Sequence, residues 1–351
     1  MNSNFNRAML SLARDLRGMT QTELAERSQL TQGTISKYQA GSSTPSDEDI
    51  EKLAEALGFP VSFLYRTGKR HGTLDGHIFH RKKTKASSAD VRRIDGHLEL
   101  FGMQTGDLLH ELELEFPYHI PQIDVDEYGS AELVAEAVRS HWRIPRGPID
   151  NLTERLEAAG CFVFMFDFKT DDIDENVQWV APNPPIILAN NYFPGDRLRF
   201  SLAHALGHLV MHQDEIPHRK REDEANEFAS AFLMPAEDIR EYLIPVTLEH
   251  LFEIKPYWKV SVASMIMRAH QIGEISDSRK QSLFQMMSRA KWRKSEPDPI
   301  PREKPQLIYD LIRTYREVLS YKDKDLAAKL TVFPTEFRQL YYPDAPILKI
   351  I

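Results

Sequence analysis

The stretch H-A-L-G-H, residues 204–208, is the part of the sequence on which the fold prediction depends. His204 and His208 are four residues apart, so on a helix their side chains lie on one face, close enough to bind one metal ion. Apolar residues on both sides predict that this helix is buried. The pattern matches the zinc-protease motif H-E-x-x-H, except that Ala205 replaces the glutamate that serves as general base. The stretch therefore predicts metal ligands without the proton acceptor that peptide hydrolysis needs.

A third ligand is expected from a second helix, in which Glu222 lies fourteen residues after His208. Catalytic zinc sites use three protein ligands, and two histidines with one glutamate form one such set. Glu222 and Asn226 share a helix face. The arrangement resembles that of glutamate-type zincins, which implies Glu222 as the ligand and Asn226 as the residue that orients a metal-bound histidine. Glu224 is the alternative ligand. His212 is predicted to be a cleft or structural histidine rather than a ligand.

The first seventy residues predict five short helices, of which the second and third form a helix-turn-helix. A capping box from Thr20 to Glu23 begins the second helix, and Thr31 caps the third. Ile35 and Tyr38 are expected to face the core. The outward polar side chains suit base edges and phosphates. The residues predicted to contact DNA are Gln21, Gln32, Thr34, Ser36 and Lys37. The alternative is a packing module with a solvated polar face.

The composition limits the class of protein. The chain has 351 residues, of which 42% are hydrophobic, so it can form two or three folded domains. Its net charge of −8 argues against a general nucleic-acid coat but permits one DNA-binding module. The single cysteine, Cys161, lies in an apolar run and is expected to be a buried structural thiol. The sequence suggests neither a signal peptide nor a membrane span, which predicts a cytoplasmic protein.

Three further segments carry predictions. Residues 80–85 are strongly basic and either form a solvated tether or add phosphate contacts next to the DNA-binding module. The apolar runs at 161–166 and 186–190 are predicted strands. Residues 325–340 resemble a second, degraded helix-turn-helix, and the favoured alternative is a helical packing or dimerisation element.

Two families are recognisable from these motifs. The run F-S-L-A-H-A-L-G-H-L-V-M-H, followed by E-x-x-A-N-x-F-A and L-M-P, resembles the ImmA/IrrE family of zinc metallopeptidases over about residues 120–240. The runs T-Q-T-E-L-A and T-I-S-K-Y-Q-A-G resemble Xre-type helix-turn-helix domains. The resemblance implies Zn²⁺ as the cofactor, operator DNA and a repressor-type or operon-encoded protein as partners, and a homodimer. The family has a glutamate where this chain has Ala205.

The expected fold is α+β and mainly helical, with an N-terminal five-helix domain, a central zincin-like α/β peptidase domain with a small sheet, and a C-terminal helical region. The predicted boundaries are 1–70 for the helix-turn-helix domain, 71–118 for a basic linker and helical connector, 119–243 for the peptidase domain, 244–290 for a helical extension, 291–305 for a linker and 306–351 for a C-terminal helical element.

The predicted function is a DNA-binding transcription regulator whose zinc metallopeptidase domain cleaves a repressor-type protein or itself in response to stress. Because Ala205 cannot accept a proton, the chain is expected to be catalytically inactive as written. The alternative is a non-enzymatic repressor or antitoxin whose zincin-like domain binds a partner or small ligand. Ala205 is either a deliberate replacement or the mark of a natural inactive relative, and both remain open.

Overall fold

The computed structural model describes residues 5–67, 78–82, 86–112, 114–179, 183–212, 218–293 and 295–342. The fold is mainly helical with one small sheet, which confirms the predicted fold class. Of the basic segment 80–85, residues 83–85 lie outside the described residues. Among the described residues, no helix combines the length and apolarity that a membrane span requires.

The N-terminal domain consists of four α-helices and one short 3₁₀ helix. The α-helices are α1 Arg7–Leu16, α2 Gln21–Ser28, α3 Gln32–Ala40 and α4 Asp47–Leu57, and the 3₁₀ helix is Val61–Tyr65. The capping box between Thr20 and Glu23 is confirmed, since each residue bonds the other's backbone. The fifth predicted helix is a short 3₁₀ helix, because only five residues follow Pro60 before the chain extends again.

The central region places a mixed four-stranded sheet between layers of helices. Its elements are β1 Ile78–Lys82, α5 Ser88–Leu109, α6 Val125–Tyr128, α7 Ala131–His141, α8 Leu152–Ala158, β2 Phe162–Phe166, β3 Ile173–Gln178, β4 Ile186–Asn190, α9 Gly195–Met211, α10 His218–Leu233 and α11 Ala236–Ile239. The strand order is β1-β3-β4-β2. Strand β4 runs parallel to β2 and antiparallel to β3, and β1 runs antiparallel to β3.

The sheet separates two hydrophobic cores, because successive side chains of a strand point to opposite faces. On one face, Val163 and Ile187 pack with α9 and α10. On the other face, Phe164 and Leu188 pack in a core that also contains the N-terminal domain, α5 and the last helices of the chain. The N-terminal domain is therefore joined to the sheet through a continuous apolar core.

The remaining helices extend from the central region to the C-terminus. They are α12 Leu248–Trp258, α13 Val262–Gln271, α14 Asp277–Arg289, α15 Leu307–Glu317, α16 Asp323–Lys329 and α17 Pro334–Tyr341. The segment between α14 and α15, predicted as a linker, is docked where it is described. Glu296 accepts hydrogen bonds from the first amides of α13, and the amide of Gly195 donates to the Ile300 carbonyl at 2.9 Å.

Helices α15 to α17 share several local features with α1 to α3. Leu326 and Ala327 are buried at positions equivalent to Leu24 and Ala25, and Phe337 is buried like Ile35. The turn between the second and third helices contains a left-handed residue in both, Thr331 with φ 55° and Gln29 with φ 56°.

These helices also contact other parts of the chain. Glu336 forms an ion pair at 2.7 Å with Arg17 of the N-terminal domain. The Tyr341 hydroxyl bonds the Gln104 side chain of α5 at 2.7 Å. The C-terminal helices therefore connect the N-terminal domain with α5.

Candidate metal centre and DNA interface

Helix α9 carries the two histidines of the H-A-L-G-H stretch into the interior. Almost every residue of this helix is buried, and the His204 and His208 side chains are 0% and 1% exposed. Their rings lie one above the other, with centroids 4.7 Å apart. The four-residue spacing predicted from the sequence therefore places both imidazoles on one face of a buried helix.

Helix α10 brings Glu222 to the same point. Its two carboxylate oxygens lie 3.5 Å from His204 Nε2 and 3.4 Å from His208 Nε2. In a tetrahedral site with zinc bonds of about 2.0–2.1 Å, neighbouring ligand atoms are about 3.3–3.4 Å apart. The three side chains form a group whose ligand atoms all lie within 4.8 Å of one another. Both the donor set and the spacing therefore fit Zn²⁺.

A glycine allows the two helices to approach this closely. A Cβ added to Gly207 would lie 3.1 Å from the Phe228 ring and 3.3 Å from the Cα of Ala225, both on α10. Only hydrogen in place of a side chain leaves room for that contact. The glycine inside the H-A-L-G-H stretch therefore sets the helix spacing that brings Glu222 to the histidines.

The charge states of the group suit a metal. Burial lowers the pKa of His208 to about 4, so at neutral pH the ring is uncharged and can donate a nitrogen lone pair. Burial alone would raise the pKa of Glu222, but the adjacent imidazoles of His204 and His208 outweigh it and hold that pKa well below its usual range. The site thus combines a neutral imidazole with a carboxylate.

Further hydrogen bonds hold both histidines through Nδ1, the ring nitrogen that does not face Glu222. Glu175 of β3 lies 2.8 Å from His204 Nδ1. His212 lies 2.8 Å from His208 Nδ1 through its own Nδ1, and its Nε2 lies 3.1 Å from Glu224. A carboxylate that accepts the Nδ1 proton fixes a histidine in the tautomer whose Nε2 can bind a metal.

The structure gives Asn226 and Glu224 contacts other than those predicted, and it adds one residue to the site. Asn226 donates its amide to the backbone carbonyl of Glu222 at 2.7 Å, one turn back in its own helix, rather than to a histidine. Glu224, the alternative ligand, bonds His212 instead. The sequence did not indicate Glu175, because no spacing rule connects β3 with α9. Among the described residues, Glu175 and His212 contact the Nδ1 atoms of the two histidines, which is the orienting role that was predicted for Asn226.

Ala205 occupies the position of the missing general base. Its side chain is completely buried within the apolar core that contains α9 and α10. A methyl group neither donates nor accepts a proton. The cluster of His204, His208 and Glu222, called the metal-type group below, therefore keeps side chains that can bind a metal. Position 205 itself cannot donate or accept a proton.

The candidate DNA interface lies on α2 and α3. Ile35 and Tyr38 are buried, whereas Gln32 and Lys37 are exposed on the outer side of α3. Thr34 and Ser36 are half-buried.

A chain of amides holds this surface in place. The Gln32 side chain donates to Gln21 at 2.7 Å, and Gln21 donates to Gln39 at 2.8 Å. Arg14 also donates to Gln39 at 3.1 Å. The two glutamines predicted to contact DNA are therefore positioned before any DNA binds.

The comparisons with known proteins match the regions in which the two candidate sites lie. Residues 10–64 match the helix-turn-helix family model, and residues 156–270 match the model of the IrrE N-terminal-like domain of the M78 peptidases. The second match contains the whole metal-type group and extends through α13. No curated protein matches the chain. The chain is thus a helix-turn-helix protein with a peptidase-family domain, and this domain belongs to the ImmA/IrrE family.

Proposed function

We propose that this protein is a DNA-binding transcription regulator in which His204, His208 and Glu222 hold a zinc ion. The observation that carries the proposal is the convergence of these three side chains from two helices. When bound, zinc supplies Lewis-acid chemistry at a peptide carbonyl. Glu175 and His212 keep the two histidines in position for it. The N-terminal domain binds operator DNA through α3 and recruits the peptidase-type domain to the gene that it controls.

We further propose that the domain in its active form cleaves a repressor-type protein or the chain itself after stress, and that Ala205 blocks this step. Removing a general base typically lowers the rate by about 10²–10⁴. Glu222 does not replace the missing base, because both of its oxygens face the two histidines. The protein as written is then a metal-binding regulator with negligible peptidase activity.

Metal analysis tests the first part of the proposal. We expect one zinc per purified chain by elemental mass spectrometry, and loss of that zinc in Glu222→Ala. Asp223→Ala provides the matched control, because Asp223 is the next residue of α10 and its side chain is exposed. Equal zinc content in the two variants would remove Glu222 from the site.

Activity tests the second part. The variant Ala205→Glu, loaded with zinc, should cleave casein as an unstructured protein substrate or its own chain, and a chelator should stop the reaction. If Ala205→Glu binds zinc but cleaves neither its own chain, casein nor a co-encoded protein, the domain is a binding module. That outcome supports the alternative function, a repressor or antitoxin that uses a zincin-like fold to bind a partner.

A further inference from the structure

Strand β1 comes from the segment between the DNA-binding domain and α5, and it completes the sheet next to the metal-type group. Its five residues pair antiparallel with β3, from Ile78 opposite Gln178 to Lys82 opposite Ile173. Among the described strands, β1 is the edge strand on this side of the sheet. Without β1, the backbone groups of β3 would form that edge. The segment was predicted only as a basic tether or phosphate-binding run, so its pairing is a finding of the structure.

The register of the β1–β3 pairing places one residue of β1 directly opposite a residue of the candidate site. Arg81 lies opposite Glu175, the β3 residue whose carboxylate bonds His204. A bulge follows between Arg81 and Lys82. Helix α9, which carries both histidines, contacts β1 as well as β3. The backbone of β1 therefore passes one strand away from the residue that supports a predicted zinc ligand.

The open edge of a strand next to a peptidase-type site can bind a peptide. An extended peptide binds to a sheet edge by adding itself as a further strand, and main-chain hydrogen bonds provide the affinity. A peptide added to β3 would occupy the place that β1 already fills. A foreign strand and β1 therefore exclude each other from this edge.

We propose that residues 78–82 are the built-in occupant of the substrate-strand position, so that the protein's own chain is the first substrate of its peptidase-type domain. This inference rests on the proposed function. Hydrolysis within the segment breaks one C–N bond of the main chain. The water oxygen bonds to the carbonyl carbon, and its protons pass to the new carboxyl and amino ends. With Ala205 the proton transfer lacks its base, so the strand stays bound and uncut.

The competing explanation is that β1 only protects a sheet edge from aggregation. The two explanations differ in what the restored enzyme does. A protective strand leaves the segment intact while other proteins are cleaved, whereas a substrate strand is cut in its own chain.

The experiment uses the full-length variant Ala205→Glu with zinc and identifies products by intact mass and N-terminal sequencing. We expect a new N-terminus within residues 79–82. The rate should not change over a tenfold range of protein concentration, because the reaction is intramolecular. Since the DNA-binding domain also packs non-covalently against α5, the cut is detected under denaturing conditions.

Two neighbouring proline variants test the pairing with β3. In an antiparallel pair, alternate residues direct their amide toward the partner strand, so only one of Phe79→Pro and His80→Pro removes a ladder bond. When that variant is combined with Ala205→Glu, its self-cleavage rate should fall by about fivefold or more. It should also cleave added casein faster, since β3 becomes accessible. The other variant serves as the matched control.

The outcomes separate the inference from the function on which it rests. Cleavage of casein with an intact 78–82 segment, or equal self-cleavage rates in the two proline variants, overturns the inference and leaves the proposed peptidase activity standing. Absence of any cleavage by zinc-loaded Ala205→Glu removes both. If the rate of cleavage within the segment rises with protein concentration, one copy of the protein cuts another. That outcome also contradicts an intramolecular substrate strand.

Discussion

At the scale of single residues, the carboxylate of Glu175 lies 2.8 Å from His204 Nδ1 and orients this predicted zinc ligand. The spacing of His204 and His208 depends only on helix periodicity, which a sequence displays directly. Glu222 lies on a second helix, and the packing of α10 against α9 brings it to the histidines. Glu175 belongs to β3, whose sequence I-D-E-N-V-Q lacks a clear apolar alternation and was not predicted as a strand. Its carboxylate reaches His204 only because the sheet packs on α9. Such a contact is set by tertiary packing, which one sequence does not reveal.

We predict that Glu175→Gln weakens zinc binding by about 10–100-fold, which is the usual cost of losing a residue that supports a metal ligand. Glutamine keeps an oxygen near His204 Nδ1 but lacks the negative charge that makes the ring a stronger ligand. Competition with a calibrated chelator measures the dissociation constant. Glu154→Gln, on the exposed side of α8, is the control and should bind zinc as the parent does. Unchanged affinity in both variants would contradict the role given to Glu175.

We also predict opposite effects for two helical glycines. Gly207→Ala forces a methyl group into the contact between α9 and α10, which should cost about 1–3 kcal/mol and reduce zinc content. Gly33→Ala meets only the Thr31 hydroxyl at 3.9 Å, so it should stabilise α3 by about 0.5–1 kcal/mol. Calorimetric unfolding midpoints give the signs. A stabilised Gly207→Ala would show that α9 and α10 can accommodate the extra methyl group without loss of packing.

At the scale of elements, caps and turns were the most reliable signals. The capping box of α2 is local in sequence and formed as expected. The apolar runs correctly indicated β2 and β4. Strand β1 was missed because its basic composition favours solvent, and its pairing partner lies about ninety residues away. Local chemistry therefore predicted helices better than strands whose register is fixed at long range.

The recognition helix gives a prediction at this scale. Gln32→Ala should weaken binding to the selected operator by about 1–3 kcal/mol, and the loss should relax specificity at one base position. Gln21→Ala should weaken binding to all sequences, since it removes a predicted phosphate contact and the partner of Gln32. Mobility shifts on operators selected by the protein itself measure both effects. Glu55→Ala, exposed on α4, is the control. Identical binding by all three variants would move the interface away from α2 and α3.

At the scale of the whole molecule, the parts are more closely joined than the sequence suggested. Predicted linkers became a sheet strand and a docked segment, and the last helices pack on both the DNA-binding domain and α5. Proline-rich and charged stretches usually indicate tethers. Here the acids of the second stretch bind helix amides or buried cations, as Glu296 does with Lys255 at 2.9 Å. These partners lie far away in sequence, so composition alone could not reveal the docking.

One buried acid makes this assembly sensitive to pH. Glu157 of α8 accepts hydrogen bonds at 3.0 Å from the amides of Gln306 and Leu307, where α15 begins. Burial raises its pKa from 4.5 to about 7, although those two amides lower it and the nearby carboxylates of Asp310 and Glu154 raise it further. The folded protein therefore binds this proton more tightly than the unfolded chain does. The stabilisation is complete below pH 4.5 and is lost as the pH rises through about 7.

We predict that the parent protein loses about 1–3 kcal/mol relative to Glu157→Gln between pH 5 and pH 8, because glutamine does not titrate. Calorimetry at the two pH values should show the unfolding midpoint of the parent falling by a few degrees more than that of the variant. The histidines and other acids titrate equally in both proteins and cancel in this difference. Glu154→Gln, one turn earlier and exposed, controls for the loss of one charge from α8 and should keep most of the parent's pH dependence. A parent and a Glu157→Gln variant with parallel midpoints would mean that Glu157 is ionised throughout, and the hydrogen bonds to α15 would then be insensitive to pH.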